Sequence, residues 1–213
     1  MSLDVNSVVE VFKDITKNIE INKQYLTDLD AAIGDGDHGI NLNKGFQVVM
    51  QKLDSANPKD VGEVLKTVAM SLVSTVGGAS GALYGTAFMK ATPIGVGKET
   101  MDFKDFSEML KVSIDGIKLR GKGDKGDKTM LDVLIPVSES IEEALNKNLT
   151  PLESLKEARD IAFKEMEATK NIIAKKGRAS YLGERSIGHQ DPGATSSYII
   201  INTIYEYLQK KEG

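Results

Sequence analysis

No cysteine occurs in the sequence, which excludes disulfide bonds and thiolate–zinc centres. An excess of basic residues is missing too. Lys and Arg number 27 against 31 Asp and Glu, giving a formal net charge of −4 and a pI near 5.4. Nucleic-acid binding leaves a clustered basic footprint, so no direct nucleic-acid partner is expected. The start Met1-Ser2-Leu3-Asp4-Val5 has neither the charged region nor the apolar core of a signal peptide, so a cytoplasmic protein is expected. Internal repeats, low-complexity tracts and runs of strict apolar–polar alternation are also absent. Charge itself is lacking from Thr67 to Met89, a stretch long enough to span a bilayer. It even carries Gly77-x-x-x-Gly81-x-x-x-Gly85, the small-residue spacing of paired membrane helices. Its glycine and hydroxyl residues dilute the apolar content, however, and Gly77-Gly78 punctuates the middle. Two helices meeting at a buried glycine turn are expected there, not a membrane span.

What is present reads as one helical domain over residues 1–213, with ordinary hydrophobic (40%) and charged (27%) contents. Apolar residues recur at helical spacing from Leu3 to Ile19, Tyr25 to Ala32, Asn41 to Leu53, Val61 to Val76, Ala79 to Lys90 and Phe103 to Leu119. Pro93, Gly95 and Gly97 mark a loop. A helix from Thr129 to Leu145 is expected to bend near Pro136. Thr150-Pro151-x-Glu153 combines a cap, a first-position proline and a capping-box glutamate, opening a helix that is expected to reach about Lys175. Asp60 and Asp191-Pro192 cap two others, the last running from about Gly193 to Gln209. The expectation is an all-α fold: about eight antiparallel amphipathic helices forming a closed barrel or bundle. Two long polar loops stand out, Arg120–Lys128 and Gly177–Gly193, and the second is long enough to suggest function.

Three segments carry chemistry. The first is Asp30-Ala31-Ala32-Ile33-Gly34-Asp35-Gly36-Asp37-His38-Gly39, with no Lys or Arg from Gln24 to Asn43 to neutralise its carboxylates. Carboxylates held together raise one another's pKa, and a divalent cation relieves that cost. Oxygen-only ligands suit Mg²⁺ or Ca²⁺. A calcium EF-hand is excluded, because counting twelve positions from Asp28 or Asp30 reaches Gly39 or Asn41 instead of the required Glu. The competing reading is a solvated acidic turn that caps the next helix. The second segment, Gly77-Gly78-Ala79-Ser80-Gly81, opens a helix with unencumbered backbone N–H groups and a hydroxyl. That suits an anion, although such junctions are more often tight packing. Beside an acidic turn, phosphate bridged by Mg²⁺ becomes the expected partner, and two ions balance the charge better than one. The third is the Gly177–Gly193 loop, whose Arg178, Tyr181, Arg185 and His189 suit closure over a ligand as well as exposure to solvent. Arg178 is a candidate to stabilise charge on a transferring group.

These motifs, with Gly126-Asp127-Lys128-Thr129-Met130 and Asp191-Pro192-Gly193-Ala194-Thr195-Ser196 in the same order, resemble the nucleotide-binding (L) family of dihydroxyacetone kinases over about residues 1 to 210. The resemblance implies an eight-helix barrel with the nucleotide at one end. It implies that Asp30, Asp35 and Asp37 hold two Mg²⁺ ions on the phosphates. Nucleotide contacts are implied for His38, Gly39, Ile40, Asn41, Gly78, Ala79, Ser80, Gly121, Met130, Arg178, Asp191, Pro192 and Gly193. Without a fused substrate domain, the chain is similar to the stand-alone bacterial subunit. There resident ADP accepts a phosphoryl group from a phosphohistidine phosphotransferase subunit, and the resulting ATP passes it to dihydroxyacetone on a separate substrate-binding kinase subunit. The activating base is then expected on that other subunit. A transcription regulator as a further partner and a homodimer are left open. So are an ATP-exchanging kinase component for another small alcohol, an ADP-bound sensor, and a phosphohistidine enzyme using His38.

Overall fold

The computed structural model describes residues 2–212, and they are helical almost throughout. Nine α-helices follow one another: α1 (Val5–Ile21), α2 (Lys23–Ile33), α3 (His38–Ser55), α4 (Val61–Thr75), α5 (Gly78–Gly95), α6 (Phe103–Gly121), α7 (Leu131–Asn146), α8 (Pro151–Ala168) and α9 (Pro192–Glu212). Short 3₁₀ segments occupy Thr169–Asn171 and Arg178–Ser186. The all-α expectation holds. A two-stranded antiparallel ribbon adds to it: β1 (Ser2–Asp4) pairs with β2 (Thr100–Asp102), Leu3 opposite Met101. Three-residue strands are too short to show an alternating pattern, which is why the sequence gives no sign of them.

The caps explain most helix starts. Asp60 accepts the Glu63 N–H at 2.7 Å, and Thr150 and Glu153 form a reciprocal capping box ahead of Pro151. Asp4 caps α1 through the Ser7 N–H, so that helix begins at Val5 and Leu3 goes to the ribbon. Helix α5 runs through Pro93 to Gly95, past the expected end at Lys90. Tertiary packing overrides the proline signal there. Gly95 lies so close to Gly62 of α4 that a Cβ on it would come within 2.7 Å of the Gly62 nitrogen, and a larger residue would force the helices apart. Helix α8 stops at Ala168 instead of continuing to Lys175, because the carbonyls of Thr169 and Ile172 turn to a side chain elsewhere.

Neighbouring helices pack in order: α1 on α3, α3 on α4, then α5, α6, α7, α8 and α9 in succession, with α9 returning to α1. Helix α2 leans on α3 and α9. One apolar cluster joins α1, α3, α4, α5 and α6 through residues such as Phe12, Ile19, Phe46, Val68 and Ile117. A second joins α7, α8 and α9 through Val137, Ile141, Leu155, Ala162 and Ile201. An apolar cavity of about 150 Å³ lies among Phe12, Ile15, Phe88, Met109 and Ile200. The uncharged stretch Thr67–Met89 folds as α4 and α5 joined at Val76-Gly77. Gly77 and Gly78 are exposed there, contrary to the expected buried turn, and the junction opens toward a cleft. Among the described residues no helix is long and apolar enough to cross a membrane.

Candidate functional site

The cleft, about 390 Å³, is bordered by the α2–α3 turn, the start of α5, the end of α6, the start of α7 and the loop that leads into α9. Its acidic wall is built by local geometry. Helix α2 ends at Gly34, whose Cα packs so tightly on the Asp30 carboxyl that a Cβ would strike Oδ1. Gly36 takes a left-handed φ of +73°, a conformation that side chains resist. The chain thereby folds back, and Asp30 Oδ2 accepts the N–H groups of Asp37 at 2.9 Å and His38 at 3.1 Å. Asp30, Asp35 and Asp37 each offer a carboxylate oxygen within 4.8 Å of the others. The Asp37 pKa is pushed up by burial first, then by the charges of Asp35 and Asp30. That is the electrostatic state a divalent cation would relieve, and the all-oxygen donor set suits Mg²⁺.

The N-terminus of α5 faces the same cleft. Gly77 provides no side-chain cap, Gly78 has a left-handed φ of +69°, and nothing lies within 4 Å of where its Cβ would be. The first N–H groups of α5, with Ser80 beside them, are free to meet an anion. Across the cleft, Arg178 Nη2 lies 2.9 Å from Asp35 Oδ2. This pair ties the long loop to the acidic turn.

Most residues singled out in the sequence converge here. Asp30, Asp35, Asp37, His38, Gly78, Ala79, Ser80, Gly121, Met130, Arg178, Asp191, Pro192 and Gly193 all border the cleft. Gly39 and Ile40 fall outside its lining, because α3 starts at His38 and turns them onto other faces; Asn41, one turn on from His38, lies beside the glycine junction, where a Cβ on Gly77 would come 3.4 Å from its Nδ2. Gly39 packs against the α2 backbone, where a Cβ would strike the Lys23 carbonyl oxygen. Ile40 is exposed, and the Asn41 N–H donates to the Asp37 carbonyl at 2.8 Å. The His38 ring is buried, its Nε2 3.0 Å from Ser196 Oγ, in a chain that continues through Tyr84 OH (2.8 Å) to Ser197 Oγ (3.0 Å). Burial lowers the His38 pKa to about 4, so the ring is neutral at pH 7, with Nε2 engaged by the Ser196 hydroxyl. The sequence reading missed Arg120, Thr129 and Lys176. Each precedes a cleft residue, Gly121, Met130 or Gly177; Thr129 also lies inside the Gly126–Met130 motif, and Arg120 opens a polar loop.

The model of the DAK2 domain matches residues 32–206 of this chain. The chain belongs to the DAK2 domain family. Relatives include the ADP-binding subunit DhaL of the PEP-dependent dihydroxyacetone kinase of Escherichia coli K12. It is 44% identical over 196 residues, covering 92% of this chain and 93% of the relative. The corresponding subunit of kinase 1 from Listeria innocua is 41% identical over 206 residues, covering 97% of this chain and 98% of the relative. The fold is shared with the crystal structure of the dihydroxyacetone kinase from C. freundii in complex with AMP-PNP and Mg²⁺. The TM-score is 0.73 at 23% identity, over 97% of this chain and 34% of that one. The family resemblance read from the motifs is thus borne out. In this member of the DAK2 family, carboxylates, an uncapped helix start and arginine meet around one cleft, a constellation suited to the phosphate end of a nucleotide.

Proposed function

We propose that this chain is the nucleotide-carrying subunit of a phosphotransferase-dependent dihydroxyacetone kinase. Its ADP, held with magnesium, would be charged by a phosphohistidine subunit and discharged to dihydroxyacetone on a separate subunit. The observation that carries this reading is the acidic trio facing the uncapped start of α5 across a single cleft. The names of relatives matching along nearly their full length supply the substrate class.

In this reading Asp30, Asp35 and Asp37 hold the cation, two ions being the better charge balance for a diphosphate. Bound magnesium would neutralise the phosphate oxygens and ease charge build-up on the transferring group. The chain's own residues do the rest by positioning. The Asp37 and His38 N–H groups fix the Asp30 carboxylate, so a ligand oxygen is set before the ligand arrives. The α5 N–H groups and Ser80 orient phosphate, and Arg178 adds a positive charge from the opposite side. Met130 and Leu131 give the cleft an apolar floor. No general base for dihydroxyacetone is assigned to this chain. The ring of helix neighbours supports the closed-barrel reading, with this cleft at one end.

The test is to purify the protein, denature it and chromatograph the released nucleotide. About one ADP per chain, lost in the Asp35→Asn variant, is expected. A protein that carries none and binds no ADP–Mg²⁺ would sink the reading, as would an Asp35→Asn variant with full activity in the reconstituted kinase. The isolated subunit is expected not to phosphorylate free dihydroxyacetone with ATP.

A further inference from the structure

Lys128 is a charged side chain in a place where charges are rarely left. It is 1% exposed, yet its Nζ reaches no carboxylate for an ion pair; Asp191 and Asp132 act on it only through space. Instead it donates to four main-chain carbonyls: Thr169 at 2.8 Å, Ile172 at 3.2 Å, Ser186 at 2.6 Å and His189 at 2.6 Å. An ammonium has three protons, so the carbonyls surround it completely and one proton is shared. Its backbone is also in an uncommon state, with a left-handed φ of +62°. Glycine or asparagine would adopt that conformation more cheaply, so the lysine is held there by what its side chain does.

The four carbonyls belong to the two ends of one loop. Thr169 and Ile172 lie where the chain leaves α8; Ser186 and His189 lie where it returns toward α9. Between them is Arg178, facing Asp35. Neutral contacts reinforce the closure: Gly188 N–H donates to the Lys170 carbonyl at 2.7 Å, and Ala174 N–H to Ser186 Oγ at 2.9 Å. Lys128 itself is fixed from below, because the Asp132 carboxylate accepts the N–H groups of Gly126 and Thr129 at 2.6 and 2.7 Å.

We infer that Lys128 is a positioning residue: its ammonium clamps both ends of the 169–189 loop and so sets Arg178 over the cleft. Without the ammonium, four buried carbonyls lose their donor, and the loop relaxes toward solvent to satisfy them. The consequence for nucleotide binding rests on the function proposed above; the consequence for the loop does not.

The experiment uses the full chain with Lys128→Met, which keeps the side-chain length without the charge. Native trypsin cleavage after Arg178 and Arg185 is expected to speed up at least tenfold, following the population of the open loop. The dissociation constant for ADP–Mg²⁺ is expected to rise about tenfold. In an Arg178→Ala background the lysine substitution is expected to add little to that loss, since the lysine acts through the arginine. Ammonium or methylammonium ions are expected to restore slow cleavage after Arg185 in Lys128→Ala. Cleavage at the parent rate in Lys128→Met, or fully additive losses with Arg178→Ala, would overturn the assignment. Should both variants fail to fold, amine acetylation of the unaltered protein, read by mass spectrometry, decides. Lys128 is expected to react at least tenfold more slowly than Lys125 and Lys176, and to catch up once the loop is cut after Arg178. Equal reactivity in the uncut protein, or no change on cutting, overturns it. If the parent protein binds no nucleotide while the loop results stand, the function reading fails and the clamp survives.

Discussion

Replacing Asp191 with asparagine separates a helix cap from a buried charge. Asp191 Oδ2 accepts the Ala194 N–H at 2.7 Å at the start of α9, and the residue is 8% exposed. Burial pushes its pKa up to about 7, with Asp132 adding to the rise, while the Ala194 amide and the Lys128 charge pull the other way. In the unfolded chain the carboxyl returns to its ordinary value of 3.8. Between about pH 4 and pH 7 the folded protein therefore keeps a proton that the unfolded chain has released. The native state binds more protons over that window, so this group's contribution falls as pH rises. Each pH unit is worth about 1.4 kcal/mol, and up to about 4 kcal/mol accumulates by pH 7. Asparagine caps as well as aspartate and does not titrate. Urea unfolding of both proteins at several pH values should show equal stability near pH 4 and a variant more stable by up to about 4 kcal/mol at pH 8. Parallel profiles, with no growing advantage for the variant, would refute the reasoning from burial.

Two further substitutions separate stability from ligand binding. Gly34→Ala should push the Asp30 carboxyl off its N–H donors and lose most Mg²⁺-dependent nucleotide binding by calorimetry, with the helical circular dichroism retained; unchanged affinity would mean that Asp30 is not held by this contact. Thr150→Ala removes half of the α8 capping box, far from the cleft, and should cost about 1 kcal/mol. In a scanning calorimeter that is a drop of about 2–4 °C, with nucleotide affinity untouched. A larger fall would mean that the cap supports more than its own helix.

The parts of the fold legible in the sequence are those fixed by neighbours along the chain. Asp60, the Thr150-Pro151-x-Glu153 box and Asp191-Pro192 announce three helix starts, because a cap and the amides it satisfies lie within three residues. The acidic turn and the glycine junction are legible for the same reason. Features decided by distant contacts are not. Pro93 reads as a helix end, yet Gly62 and Gly95 hold α5 together. The α8 helix stops at Ala168 because an ammonium about 40 residues upstream draws off the next carbonyls, and backbone acceptors leave no mark in sequence. Within His38–Asn41, Gly39 and Ile40 are turned away from the cleft by helical periodicity, which sets successive residues on different faces.

The return of α9 to α1 has a consequence for how the protein is made. Asn18 Nδ2 meets Thr203 Oγ1 at 2.8 Å across 185 positions of chain, and Lys211 Nζ meets Ser7 Oγ at 2.6 Å across 204. During synthesis α1 emerges before α9, with Val8, Val11, Phe12, Ile15 and Ile19 on its apolar face. The helix that flanks it on one side is made about 185–204 residues later. At about 5–20 residues per second, that face waits roughly 10–40 s for its final partner. Helix α1 is thus a segment that a nascent-chain chaperone would shield until α9 arrives, and one whose premature pairing would misdirect assembly.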